Sequence, residues 1–599
     1  MKLEAKTYKL LDSVKLSFQC APWLTFLMVL EKVLAGLVPS LQIIATAYFI
    51  DTAVAVFQGQ AVIREIYWPI GAIAGLIALS WVSGQLIQFV KVRLETALRE
   101  QFRTAILSKR SKLAYQHIEN SGSWDMISRV SKNPENQLML AFSRVLNAAS
   151  LILRIVGILA ILVAQVWWAA LVITTISVPL FYLAMKSGKA NYQASREASK
   201  YQRRHEYLSK VLMGRDAVNE RAIFQYSGAI NQVWHEQYET ARKIQLRTEM
   251  KWYMKMKSGS IITALLSTII VFLLIPPAVS GSLSIGMFIS LSSSIFNLVS
   301  IMSWGLTRLA DEMARDAEYM VDLTQFSKMD ETRGADHEPA ADRPVFESLE
   351  FRNVHFTYPG ADQPTLQGLS FRLEAGKHYA VVGINGAGKT TITKLMTGLY
   401  SSYEGEILLN GRELSEYGYS ELKAFYSMVY QDFAKYSITL KENIALGDLT
   451  ADKMEPAFAT RLQAAVEQTG LSAVAERLAS GIDTALGKIK SNSSDLSGGE
   501  WQRVAMARAV FNPAPVRILD EPTAALDPIS ESRLYEEFEA VSQGTTSLMI
   551  SHRLGSTKLA DEILVIGEGR LLEQGTHKEL MELGGVYAQM YEKQRSWYQ

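Results

Sequence analysis

Gly383-Ile384-Asn385-Gly386-Ala387-Gly388-Lys389-Thr390, followed by Thr391, is the stretch on which the fold of this chain turns. It has the phosphate-loop spacing: Gly, four residues, then Gly-Lys-Ser/Thr. An apolar run, Tyr379 to Val382, precedes it, and a helix-like run, Thr391 to Leu399, follows. That strand–loop–helix order is the context the motif requires. Glycines let the backbone curl so that several N–H groups face phosphate oxygens. The start of the following helix adds partial positive charge. Lys389 is expected to reach the outer phosphates of a nucleotide, and the Thr390 hydroxyl to hold Mg2+.

Downstream, Val516 to Leu519 is strand-like and ends in Asp520-Glu521-Pro522-Thr523. An acid at such a strand end, Asp520, can hold the water shell of Mg2+. Glu521 beside it is placed to orient or deprotonate an attacking water. Ser547 to Ser551 is a second strand-like run, ending in His552, whose imidazole is expected to sense the terminal phosphate. Ligands of open α/β sheets bind at such strand ends.

The rest of the chain is unlike a soluble enzyme. Of 599 residues, 48% are hydrophobic and 20% charged, and the mean hydropathy is +0.06, more apolar than soluble chains usually are. A net charge of +1 gives no sign of a nucleic-acid partner. The single cysteine, Cys20, excludes an intramolecular disulfide and a cysteine zinc site. Met1 to Lys15 lacks the apolar core and cleavage site of a signal peptide, so the first long apolar segment is read as a retained anchor.

Apolar segments of spanning length recur before about Leu309. Six are read: near 21–50, 68–90, 145–166, 168–185, 258–275 and 285–307. Residues 164–168 make a tight hairpin between the third and fourth, and Ile275-Pro276-Pro277 with Ser280-Gly281 turns between the fifth and sixth. Lys and Arg crowd the stretches after the second span and between the fourth and fifth, and both hairpins carry none. The positive-inside rule then places both termini in the cytoplasm. Residues 91–114 and 189–257 read as long helical extensions beyond the bilayer. Breaks at 120–125 and 213–216 are followed by short amphipathic pieces, Asp125 to Val130 and Asp216 to Phe224, expected to dock on the nucleotide domain. Ser290, Ser293, Asn297, Ser300 and Trp304 share one face of the sixth span, with a weaker counterpart in Ser260, Thr263 and Ser267. Two readings stand: a wet translocation cavity or small-residue helix packing. Arg154, in the third span, either meets an anionic substrate or pairs with a carboxylate such as Glu31. Residues 1–329 are thus expected to form a membrane domain, 330–344 a linker rich in charge, Ala and Pro, and 345–599 one α/β domain.

Leu496-Ser497-Gly498-Gly499-Glu500, followed by Trp501-Gln502-Arg503, resembles the signature motif of the ATP-binding cassette transporters. The resemblance covers essentially the whole chain. It implies an exporter-fold half-transporter: a helical six-span membrane domain fused to an α/β phosphate-loop ATPase. It implies that Ser497, Gly498 and Gly499 bind ATP held by the opposite subunit, so a single cassette cannot complete a site and two chains, identical or sister, form the machine. Tyr358, in Phe356-Thr357-Tyr358, resembles the aromatic that stacks on adenine. Gln431 resembles the glutamine that touches Mg2+ or water, Asp527 the D-loop acid and His552 the switch histidine. The resemblance thus makes Thr390, Gln431 and Asp520 the metal-side residues and Glu521 and His552 the catalytic ones. Phe433 through Ile444 and the ending Tyr591-Glu592-Lys593-Gln594 further resemble a bacterial subgroup that includes exporters of lanthionine-type and other ribosomal peptides. Three departures stand out: Lys488 to Ser494 in place of a Glu-Gly-rich stretch, Glu500 where Gln is common, and Arg517 in an otherwise apolar strand, expected to point outward. The activity implied is ATP-driven export of a peptide, lipid or drug-like substrate by alternating access. The alternatives are import of a small chelate on the same fold, or ATP gating without pumping.

Overall fold

The computed structural model describes the chain except residues 1, 215–216, 302–304, 333, 336, 338–343, 453, 489–492, 521–543, 552–553 and 597–599; for residue 556 and some residues within 169–196, 256–266 and 299–311 it describes the backbone course alone. The chain divides into two compact units, one of Met1–Arg110 with Asp125–Met329, the other of Ser111–Trp124 with Asp330–Gln599.

The first unit is all helix. Among the described residues, Pro22–Phe57, Ile63–Lys112 and Pro134–Trp168 are long and apolar enough to cross a membrane. The first runs unbroken through Glu31, Lys32 and Pro39. The second is a near-continuous rod whose apolar window is wholly unburied, with Trp68, Trp81 and Phe89 each more than 70% exposed. Such a surface belongs in lipid. At ~1.5 Å per residue, a rod of this length extends well past a ~30 Å hydrocarbon core. The third and fourth expected spans lie in one helical run, Pro134–Met213, broken at Val166 (φ −147°, ψ 74°), where the hairpin is expected. The fifth ends the helix Ser227–Leu273, and the sixth begins at Ile285. Pro276 and Pro277 do not themselves make the turn between them. They sit in the first turn of a short helix, Ile275–Val279, where a missing N–H costs nothing, and the chain reverses after it. Ile43, Ile158, Leu162, Ile270, Leu291, Ile295 and Leu298 form one buried cluster across the first, third, fifth and sixth of these helices.

The charged end of this unit is tied by ion pairs. Glu135, 3% exposed, meets Arg99 at 3.5 Å and Arg103 at 3.3 Å. Arg144 pairs with Asp316 and, at 3.3 Å, with Glu312. Arg129 holds Asp322 at 2.8 Å.

The second unit contains two sheets. The strands are β1 (Ser348–Phe356), β2 (Leu366–Glu374), β3 (His378–Val382), β4 (Glu404–Leu409), β5 (Arg412–Glu413), β6 (Tyr426–Val429), β7 (Val516–Asp520), β8 (Thr546–Ile550), β9 (Glu562–Gly567) and β10 (Arg570–Gly575). One sheet is antiparallel, β2-β1-β4-β5; the other runs β10-β9-β3-β8-β7-β6, parallel except for β10. Side chains of the parallel sheet alternate between two cores, as a period of two requires. Tyr379, Val381, Ile518, Leu548, Ile550 and Leu564 pack with the antiparallel sheet's Phe351 and Phe371. Ala380, Val382, Leu519, Met549 and Val565 pack on the other face with Ala505, Met506 and Tyr587. Arg517 is therefore not an outward side chain. It lies on an interior strand, between Ser427 and Ser547 in register and half-buried, and burial lowers the pKa of its guanidinium.

The start of the stretch expected to be a linker is paired. Leu113 bridges Glu331, and Lys112 O accepts from Thr332 N at 2.8 Å.

Candidate functional site

The phosphate loop joins β3 to the helix Lys389–Met396. Its glycines are demanded by geometry at three positions, Gly386 by its φ of 83° alone and the other two also by crowding. Gly383 has φ 155°, and a Cβ there would lie 2.1 Å from Ile566 O; Gly388 has φ 99°, and a Cβ would lie 2.7 Å from Leu366 Cδ2. Ile384, Asn385 and Gly386 are exposed, Ala387 is buried under the loop, and Thr390 is exposed at the helix start. Lys389 is 5% exposed, and its ammonium donates to Gly383 O at 2.9 Å and Ile384 O at 3.2 Å. The cation is thus held over the loop's own carbonyls, at the mouth of the N–H-lined curl.

Parallel register brings the other strand ends to the same edge. Val381 pairs with Ile550, and Ile550 with Asp520. Asp520 is 2% exposed. Asp520 is therefore level with the start of the phosphate loop. Glu521 and His552, one residue beyond Asp520 and Ser551, lie outside the described residues, as do Asp527 and most of Lys488 to Ser494. Gln431 is exposed in the turn after β6, the neighbour of β7. Thr390, Gln431 and Asp520 offer oxygen donors, the type that Mg2+ prefers. No cluster of three or more His, Cys, Asp or Glu occurs among the described residues.

Tyr358 is half-buried, and its hydroxyl lies 2.9 Å from Thr391 Oγ1, one residue past the loop. Its ring meets Tyr400 edge-on at 5.5 Å, and Lys394 Nζ is 5.1 Å from its centroid. Lys394 and Tyr400 also contact residues 111–124: Glu119 accepts from both, and Tyr115 lies edge-on to Tyr400 at 5.6 Å. The sequence reading missed this cluster. Lys394 shares a helix face with Thr391 at i+3, which is a signal, but its partner Glu119 is distant in sequence. The docking piece is also displaced from expectation. It is Ser111–Trp124, the helix Tyr115–Glu119 together with most of the break at 120–125. Met126, Ile127 and Val130, in the piece expected to dock, are buried and belong to the first unit. Of the second expected tip, residues 215 and 216 lie outside the described residues.

The signature residues begin the helix Gly498–Phe511, and Ser497 is its N-cap. Ser497 Oγ accepts from Glu500 N at 3.3 Å, and Glu500 Oε2 accepts from Ser497 N at 2.8 Å, a reciprocal capping box. Arg477 donates to Glu500 Oε1 at 2.6 Å. Burial pushes the Glu500 carboxyl up, but the Arg477 and Ser497 hydrogen bonds outweigh it and hold it below the usual range. The body of this helix packs Trp501, Val504, Ala507 and Phe511 into a cluster with Leu440, Ile444 and Leu462, separate from the one under the phosphate loop. Ser497 and Gly498 remain exposed.

A parallel sheet with a phosphate loop, fused to a helical membrane domain, defines an ATP-driven membrane transporter. The ABC transporter family profile matches residues 366–524. The subtilin transport ATP-binding protein SpaT of Bacillus subtilis is 26% identical over 600 residues, covering 99% of this chain and 94% of that protein. The ATP-dependent lipid A-core flippase of Escherichia coli (strain K12) is 28% identical over 525 residues, covering 86% and 84%. A bacterial Atm1-family ABC exporter with ATP bound has the same fold, with a TM-score of 0.70 at 24% identity over 95% of this chain and 98% of that one. Residues 366–524 are thus an ABC transporter domain, and the chain along most of its length is similar to ATP-dependent exporters and has the fold of an ABC exporter.

Proposed function

We propose that this chain is one half of a dimeric exporter, identical or sister chains closing on two ATP molecules and so driving the membrane domains from inward-open to outward-open. The observation that carries the reading is the signature. Ser497 and Gly498 stand exposed at a helix N-terminus whose body packs in a different cluster from the phosphate loop. Free N–H groups there suit the terminal phosphate of a nucleotide presented by another subunit. The residues divide the work. Gly383, Ile384, Asn385, Gly386, Ala387 and Gly388 wrap the phosphates with backbone N–H groups. Lys389 leaves the loop carbonyls for the outer phosphates. Thr390 and Asp520, with Gln431, would hold Mg2+, whose charge offsets that of the transferring phosphoryl group. Tyr358 carries the adenine ring, with Thr391 fixing the Tyr358 hydroxyl. Glu521 orients the attacking water and His552 senses the terminal phosphate. The reading keeps residues 1–329 as membrane domain, 330–344 as linker and 345–599 as cassette, with both termini cytoplasmic and the chain in the inner membrane.

Closure is driven by differential binding, because ATP contacts both cassettes only in the closed state. The cargo is a peptide, lipid or drug-like molecule. The match to the subtilin transporter along almost the full chain favours the peptide. The test is ATP-driven uptake of labelled amphiphiles into inverted proteoliposomes, with turnover measured against protein dilution. Full turnover by a monomer, or no uphill movement of any solute, would remove this reading.

A further inference from the structure

We propose that Arg154 is an oxyanion-binding residue of the membrane domain, one that receives a carboxylate or phosphate group carried by the transported cargo. The inference rests on the export reading and names the chemistry of its cargo. In the six apolar stretches the only charged residues are Glu31, Lys32 and Arg154. Glu31 and Lys32 are neighbours and contact each other at 3.3 Å. Among the described residues, Arg154 is thus left without a counter-charge. Within the spans themselves, residues 168–185, 258–275 and 285–307 contain no Asp or Glu; the next acid after Asn297 is Asp311, fourteen residues on, about 21 Å along a helix.

The contact that Arg154 does make is to a neutral group. Its Nη2 donates to Asn297 Oδ1 at 3.2 Å. Its Nε is buried with no hydrogen-bond partner among the described residues. A guanidinium presents five donors in a planar fork that matches carboxylate or phosphate, and an amide oxygen fills only part of it. Asn297 lies on the polar face of the sixth span, where Ser293 and Asn297 are both exposed. The side chain therefore reaches the polar face, not a lipid-facing one. The surrounding helices approach closely: Gly36 lies against Leu153 and Ser150, and Gly157 against Ser40. The Ser40 hydroxyl, beside the turn after Arg154, is likewise buried without a hydrogen-bond partner.

Arg144, also on the third helix, supplies the contrast. It is engaged by two carboxylates, Glu312 and Asp316. Among the described residues, the fold thus gives a structural arginine its counter-ions and gives Arg154 none. An uncompensated cation within a span costs at least about 2.5–3.5 kcal/mol. A group that arrives with the opposite charge removes that cost.

The experiment uses the full-length protein in phosphatidylcholine nanodiscs, titrated with probes that share a dodecyl chain: dodecyl phosphate, N-dodecanoyl glutamate and the neutral dodecyl glucoside. Wild type is expected to bind an anionic probe about tenfold or more tighter than the neutral one, the scale of charge-assisted hydrogen bonds. Arg154→Gln should remove that margin, and Arg154→Lys should retain part of it. Asn297→Asp places a carboxylate against the guanidinium and should also remove the margin, with a thermal midpoint at or above wild type as evidence of an intact fold. A margin for phosphate alone assigns a phosphate-bearing cargo, and one for glutamate alone a carboxylate-bearing cargo. Equal binding of all probes by wild type, or an unchanged margin in Arg154→Gln and Asn297→Asp, overturns the proposal. Basal ATP turnover of wild type, read without probe, separates the two claims. Its absence with the margin intact removes the export reading and leaves the site.

Discussion

Lys394 Nζ lies 2.7 Å from Glu119 Oε1, and the same ammonium sits over the rings of both Tyr358 and Tyr115. One cation thus joins the aromatic assigned to adenine with the short segment that interrupts the membrane helices. Tyr400 donates to the second Glu119 oxygen. Burial by itself would raise the Glu119 carboxyl, but the bonds from Lys394 and Tyr400 outweigh it and hold it below the usual glutamate range.

This pair should be measurable as local stability. Its folded pKa is depressed, so its contribution is complete above the ordinary glutamate value and is lost as pH falls through the lower folded one. The Glu119 side chain is 38% exposed, so the pair is worth about 1 kcal/mol, the upper end for surface pairs. Glu119→Gln should then speed amide exchange at Tyr115–Glu119 about fivefold at neutral pH. The difference should narrow in acid, where wild type loses the same charge. Equal exchange at neutral pH would show that the pair holds nothing.

Lys389 and Glu521 are expected to fail differently. Lys389→Ala deletes a charge aimed at phosphates and should weaken ATP binding by about 2 kcal/mol, or about thirtyfold. Glu521→Gln keeps the shape and removes the base. Turnover should fall at least about a hundredfold while ATP affinity stays within about threefold. Nucleotide titration beside steady-state hydrolysis separates the two. Normal turnover by Glu521→Gln would refute its role.

Local chemistry was readable and long-range pairing was not. The phosphate loop showed in the sequence because its glycines satisfy local backbone demands, as Gly383 and Gly388 show. The hairpin at Val166 showed because a hydrophobic run too long for one crossing must break. The break at 120–124 was placed correctly with the second unit, but the amphipathic piece after it belongs to the first. Amphipathicity marks a face to be buried but does not name its partner, and Ile127 and Val130 are buried and belong to the first unit. Arg517 was read as outward because strand alternation gives two faces without saying which is wet, and here both are covered. The partner of Arg154 was left open between an anion and Glu31, and only packed helices could show Asn297 there.

Glu500 in place of the commoner Gln is a test of how the signature is held. Either residue can close a capping box on Ser497, but only Glu can pair with Arg477. Glu500→Gln should therefore keep ATP turnover within about threefold, losing only about 0.5–1 kcal/mol of surface pairing. Glu500→Ala removes the cap as well, costing about 1 kcal/mol more and loosening the N–H groups at Gly498 and Gly499. KM for ATP should rise in Glu500→Ala more than in Glu500→Gln. Equal effects would mean that the ion pair with Arg477, not the cap, orders the signature.

Gly286 marks a close approach of the first and sixth spans, and it should tolerate no side chain. A Cβ there would lie 2.0 Å from Ala47 O and 2.8 Å from Asp51 Cγ. Its N–H donates to Asp51 Oδ1 at 2.7 Å, beside the Ser284 hydroxyl that caps the same helix. Backbone cannot yield as a side-chain tip can, so Gly286→Ala must push the two helices apart, at about 2 kcal/mol or more. Asp51→Asn keeps an acceptor and removes the charge that complements the helix start, at about 0.5–1 kcal/mol. Thermal unfolding in detergent should rank Gly286→Ala below Asp51→Asn and both below wild type. A Gly286→Ala protein as stable as wild type would mean that these helices do not meet at Ala47.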